Sequence, residues 1–142
     1  MRKSTGHRSI EIVKAALLYF GIVFGTGFVL GPIRVLVLEP RLGAFAAGLC
    51  ETPFLLLAIG LAAWKVPQWL RTQSQPGDML AMGFGALALA LGADFIVGLT
   101  LRAMTFRDQL AYFSTSSGQL FAALLGIFAL MPAVAHSVRT RD

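Results

Sequence analysis

Charge is scarce in this 142-residue chain: Asp, Glu, Lys and Arg together make up 13% of it. A soluble domain carries about 25%, so this sequence cannot cover itself with a water-compatible surface. It has one cysteine, Cys50, which excludes an intramolecular disulfide. As one small residue in an apolar run, Cys50 is expected to be buried. Of the two histidines, His7 lies in the basic N-terminal tail and His136 near the C-terminus. No His, Cys and carboxylate cluster therefore has metal-ligand spacing, and neither a metal nor another cofactor is expected. Ser114–Ser117 have no base beside them, and Gly25-Thr26-Gly27 lacks the Lys-Ser/Thr of a phosphate loop. These absences argue against an enzyme.

Apolar length is what the chain has in abundance. Hydrophobic residues reach 56%, mean hydropathy is +0.73, and four stretches run approximately 15–38, 42–64, 79–101 and 118–138. Each can cross a hydrocarbon layer of ~30 Å, which takes about 20 helical residues. In lipid every backbone amide must bond within its own helix. The expected fold is therefore all-α: a polytopic four-helix transmembrane bundle forming one domain over residues 1–142. The first stretch is too long for a signal-peptide core and is followed by Gly31-Pro32-Ile33-Arg34 and not by a small-residue cleavage site, so it is expected to remain as a span.

Twelve Lys and Arg against seven Asp and Glu leave a net charge of +5. The basic residues sit singly at helix ends and form no stripe, which argues against nucleic acid. Arg2, Lys3, Arg8, Lys14, Lys65, Arg71, Arg139 and Arg141 fall on one side, and Arg34, Arg41, Arg102 and Arg107 on the other. The positive-inside rule then places both termini in the cytoplasm. Trp64 and Trp69 suit one interfacial belt and Tyr112 the other.

Between the first two spans, Pro40 and Gly43 are expected to break the helix and force a hairpin. Residues 65–78, with Gln73-Ser74-Gln75-Pro76-Gly77, read as a cytoplasmic loop. Met104, Phe106, Leu110 and Phe113, mixed with Arg107, Asp108 and Gln109, suit a short surface helix, after which residues 114–117 can cap the fourth span. Gly21, Gly25, Gly27 and Gly31 are spaced for close helix packing, within the chain or against another copy or another membrane protein. The third span (Ala81, Gly85, Ala88, Gly92) and the fourth (Gly118, Ala122, Gly126, Ala133) carry similar small residues. A weak echo at an offset of 68 residues pairs Thr26 with Asp94, Arg34 with Arg102 and Glu51 with Gln119, as a duplicated hairpin would.

Two acids lie inside spans, Glu51 and Asp94. A charge there costs about 2.5–3.5 kcal/mol on insertion scales, so it needs a partner or a purpose. At ~1.5 Å per residue, Glu51 is about 13 Å below Leu42, and Asp94 about 12 Å below Arg102. Thr26 lies at a similar depth below Arg34, and Gln119 stands near the start of the fourth span. Thr26, Glu51, Asp94 and Gln119, with Arg34 and Arg102 above them, form one candidate polar layer in the outer half. Arg34–Glu51 and Arg102–Asp94 can serve as ion pairs that hold helices together. Alternatively, the layer is a solvated pathway or ligand pocket in which the acids exchange protons. Pro53, two residues past Glu51, removes a backbone donor and can kink the span.

The stretches Gly27-Phe28-Val29-Leu30-Gly31-Pro32-Ile33-Arg34-Val35, Pro40-Arg41-Leu42-Gly43 and Glu51-Thr52-Pro53 resemble a group of small bacterial inner-membrane proteins with no accepted activity. The shared pattern is Gly-Phe-x-Leu-Gly-x-Ile-Arg-Val, Pro-Arg-x-Gly and Glu-x-Pro, covering roughly the first half of the chain. The resemblance implies a multi-pass protein of the bacterial inner membrane in which Arg34, Arg41 and Glu51 belong to one motif. The functional expectation is a non-enzymatic structural or accessory component of the bilayer, with a small proton-coupled transporter or channel using Glu51 and Asp94 as the alternative.

Overall fold

The computed structural model describes residues 5–70 and 75–142. Arg2, Lys3, Arg71, Gln73 and Ser74, which entered the charge and loop expectations, lie outside the described residues. The chain is all-helical: α1 (Thr5–Ile33), a π-helical segment (Arg34–Leu38), α2 (Glu39–Leu42), α3 (Ala44–Trp69), α4 (Pro76–Thr100), α5 (Phe106–Tyr112) and α6 (Ser116–Arg139). Four helical runs, Thr5–Leu42, Ala44–Trp69, Pro76–Thr100 and Ser116–Arg139, are long and apolar enough to cross a membrane. This is a multi-pass integral membrane protein.

The helices overrun most ends of the apolar stretches, because a helix terminates where caps or turns end it and not where apolarity stops. Thr115 caps α6 by accepting from the Gly118 amide at 3.0 Å. Pro40 does not break the first helix; it sits in the first turn of α2, where a missing N–H is tolerated. Gly43 alone reverses the chain, with φ 82° and ψ 162°, a conformation open essentially to glycine.

Around the bundle the order is α1, α3, α6, α4: α1 packs on α3 and α4, and α6 packs on the same two. Arg8 bonds Asp78, joining the starts of α1 and α4, while Arg139 donates to the Trp64 carbonyl, joining the ends of α3 and α6. These contacts mark the terminal end. Arg34 and the turns at Gly43 and 101–115 mark the other, the turn end. Two parallel hairpins, α1–α3 and α4–α6, thus lie side by side. A two-fold along the bundle axis would have set α1 opposite α4; here they are neighbours.

The core fills the terminal half. Ala15, Ala16, Tyr19, Ile59, Ala62, Ala63, Val66, Met79, Met82, Ala86, Phe128 and Ala135 form one cluster. Small side chains let the backbones approach, as at Gly83, where any Cβ would overlap the Ala129 carbonyl on α6. Across the diagonal, Tyr19 stacks on Phe128 with ring centroids 4.6 Å apart. Its hydroxyl donates to the Phe128 carbonyl at 2.6 Å. Pro132, four residues on, has no N–H for that carbonyl, so the tyrosine supplies the donor that the proline removes.

Within the chain, the α1 glycines do not pack against a neighbouring helix backbone. A Cβ on Gly21, Gly25 or Gly31 would meet nothing within 4 Å, and one on Gly27 would only touch Leu55 at 3.6 Å. Gly27 and Gly31 instead border a cavity, and Gly21 is exposed. Cys50 is also exposed: its position on α3 falls on the outward side of the ring.

Candidate functional site

Where the terminal half is filled, the turn half is hollow. A chamber of about 620 Å³ lies between all four long helices, within the range of small-molecule sites. Phe20, Ile59 and Phe128 form its floor, directly above the Tyr19 stack. Its walls are apolar, with Phe24 and Phe28 from α1, Leu55 from α3, Val97 from α4, and Phe121, Leu124 and Leu125 from α6. Polar groups gather at the turn end: Arg34, Glu39, Glu51, Asp94, Arg102, Tyr112, Thr115 and Ser117.

The π-helical segment begins at Arg34, two residues after Pro32. A wider turn there re-aims the next residues, and such turns are frequent at functional sites. Arg34 is bracketed by two carboxylates. Its Nη1 donates to Glu51 Oε2 at 2.9 Å, and its Nε lies 3.2 Å from Glu39 Oε1 without the alignment of a hydrogen bond. The Glu51 side chain is 6% exposed. This pairing answers the burial cost of Glu51 and ties the end of α1 to α3. Beside it, the Thr52 hydroxyl donates to the Gly48 carbonyl at 2.8 Å, and Pro53 leaves the Leu49 carbonyl without its helical donor.

Asp94 is placed differently. It is half-buried on the chamber wall, and among the described residues no basic group lies within 4 Å of its carboxylate. Arg102 and Arg34 act on it only through their fields at longer range. The expected Arg102–Asp94 ion pair is therefore not formed: Arg102 sits past the end of α4, exposed at the chamber mouth. Asp94 also borders a pocket of about 30 Å³ beneath α5, walled by Gly98, Met104, Gln109 and Tyr112.

Helix α5 folds back over this pocket. Ala103, at φ 50°, turns the chain after α4, and Thr105 with Asp108 forms a reciprocal capping box. Hydrogen bonds from the Thr105 hydroxyl and amide hold the Asp108 carboxyl below its usual range. Gln109 faces inward: its Nε2 donates to the Phe95 carbonyl at 3.3 Å, and it packs against Gly98. Phe106 and Leu110 face outward. Burial raises the Tyr112 phenol above its ordinary value, keeping it a neutral hydrogen-bonding group.

Arg34, Glu51, Asp94 and Arg102 thus border one chamber, while two members of the expected layer do not. Gln119 is exposed, because its turn of α6 points it away from the bundle. Thr26 is not on the chamber wall; its hydroxyl bonds the Ile22 carbonyl of its own helix at 2.8 Å. Glu39, Tyr112 and the aromatic walls were missed; their only signal was proximity to Arg34 and to α5. The terminal-end clasp was missed too. Arg8 binds Asp78 through Nε at 3.0 Å and reaches Gln75 at 2.9 Å.

Among the described residues no three His, Cys, Asp or Glu side chains converge as metal ligands. Comparisons with protein-family models, curated proteins and solved structures return no match, so the chamber's geometry carries the functional reading.

Proposed function

We propose that this chain is a non-enzymatic inner-membrane protein that holds a small amphipathic molecule in its chamber. Both termini are cytoplasmic in this reading, and the chamber occupies the outer half of the bilayer. The two buried acids divide the work. Glu51 is structural, a clasp with Arg34 that keeps α1 against α3 and fixes the wall. Asp94 is the recognition group. One observation carries the reading: Asp94 borders a chamber of about 620 Å³ and has no ion-pair partner among the described residues. The clasp also gives sense to a motif that joins Arg34 to Glu51, whereas Arg41 is exposed.

A continuous channel fits less well, because the chamber ends at Phe128 and the core fills the bundle below it. Transport would require the Tyr19–Phe128 contact to open.

The test is photolabelling of the liposome-reconstituted protein with a small hydrophobic diazirine, mapped by mass spectrometry. Leu124 is only 9% exposed and lines the chamber, so its labelling reports entry and not lipid contact. Entry predicts labelled Leu124 in the wild type and loss of that label in Gly31→Phe, which fills open space beside Gly31. Labelling confined to lipid-facing residues such as Phe54 and Leu57 refutes the reading. Glu51→Gln should lower the melting temperature, and Asp94→Asn should not.

A further inference from the structure

The charge balance of the chamber specifies its ligand further. Three carboxylates border it, Glu39, Glu51 and Asp94, against two guanidiniums, Arg34 and Arg102, with no lysine or histidine among the described lining residues. Arg34 is already matched twice, by Glu51 at 2.9 Å and Glu39 at 3.2 Å. Arg102 is exposed at the mouth, where water screens it. The wall therefore carries one negative charge in excess, and Asp94 is the acid left to express it inside the chamber.

The apolar lining points the same way. Phe20, Phe24, Phe28, Phe121 and Phe128 line the chamber that Asp94 borders, and Tyr112 stands near its mouth with its ring centroid 6.4 Å from that of Phe121. Aromatic ring faces carry negative electrostatic potential and attract cations, more strongly where water is excluded. A carboxylate at one end of an aromatic chamber suits a molecule with one positive charge and large apolar groups. An anionic amphiphile fits poorly, since its headgroup would meet Asp94 and Glu39 while both guanidiniums are engaged or outside.

We propose that the chamber's ligand is a lipophilic organic monocation, with Asp94 as its counter-ion and the phenylalanine walls as its bed. This inference rests on the chamber being a binding site, and the experiment separates the two claims. Tetraphenylphosphonium and tetraphenylborate have nearly the same size and shape and opposite charge. Their binding to the detergent-solubilised full chain is measured by equilibrium dialysis, corrected for partitioning into protein-free micelles.

The expected result is a preference of about tenfold or more for the phosphonium, the scale of one well-placed charge contact. Asp94→Asn should abolish the preference, Asp94→Glu should retain it, and Gly31→Phe should weaken both ions. A melting temperature for each variant confirms that it is folded. Equal binding of the two ions, or a preference surviving in folded Asp94→Asn, overturns the charge assignment and leaves the chamber standing. A preference for the borate overturns it in favour of an anion. Binding of neither ion above the micelle background, or binding that folded Gly31→Phe leaves intact, removes the chamber reading itself.

Discussion

Tyr19→Phe deletes one hydroxyl from the centre of the bundle and keeps the ring that stacks on Phe128. The oxygen donates at 2.6 Å to the Phe128 carbonyl, which Pro132 has left without its helical N–H donor. Hydrogen bonds in membranes average about 0.6 kcal/mol and reach about 1.7. An orphaned buried acceptor costs about 1–3 kcal/mol. Tyr19 is 0% exposed and water cannot substitute, so the expected loss is about 1–2 kcal/mol. The mechanism is isolated by a second change. Pro132→Ala returns an amide at position 132 that can bond the same carbonyl, and in that background Tyr19→Phe should cost less than about 0.5 kcal/mol. Reversible unfolding in mixed detergent–SDS micelles measures all four corners of the cycle. Equal costs with and without Pro132 would refute the compensation, and the hydroxyl would then have no special link to the proline.

Two further outcomes rest on particular contacts. Gly83→Ala should destabilise by about 1–3 kcal/mol, because its methyl meets the Ala129 backbone. Gly21→Ala, with open space around it, should stay within about 0.5 kcal/mol in the same unfolding assay. At α5, the Asp108 carboxyl is lowered by bonds from Thr105, so the folded cap favours the ionised form. Its contribution is complete above the unfolded carboxyl value and is lost as pH falls through the lower folded one. A nitroxide at exposed position 110 should therefore gain mobility on acidification below about pH 4, and Asp108→Asn should remove that titration.

Depth was legible from the residues alone; direction was not. Four apolar stretches require four helices, because hydrocarbon offers no partner for an exposed amide. Counting along them puts Glu51 and Asp94 at one level with Arg34 and Arg102 above it, and the structure sets all four on one chamber. The count fails for Gln119 and Thr26, which share the level and face elsewhere. These helices are apolar on every side, so their periodicity does not distinguish a core face from a lipid face. The π-helical turn at Arg34 also shifts the residues after it off the ordinary helical repeat.

The pairing of Arg34 with Glu51 could be anticipated because the two flank a short hairpin turn, and chain connectivity alone holds them close. Asp94 depends on the order α1, α3, α6, α4, which no local pattern encodes. That order makes α1 and α6 diagonal, so Tyr19 meets the carbonyl that Pro132 frees. It also sets small residues facing each other at the terminal end and phenylalanines around open space at the turn end. Hydrophobic length and the cost of unbonded amides act residue by residue along the chain, and they settle that it spans the bilayer four times. A cavity depends on which side chains from separate helices face one another, and packing settles that only when all four helices are in place.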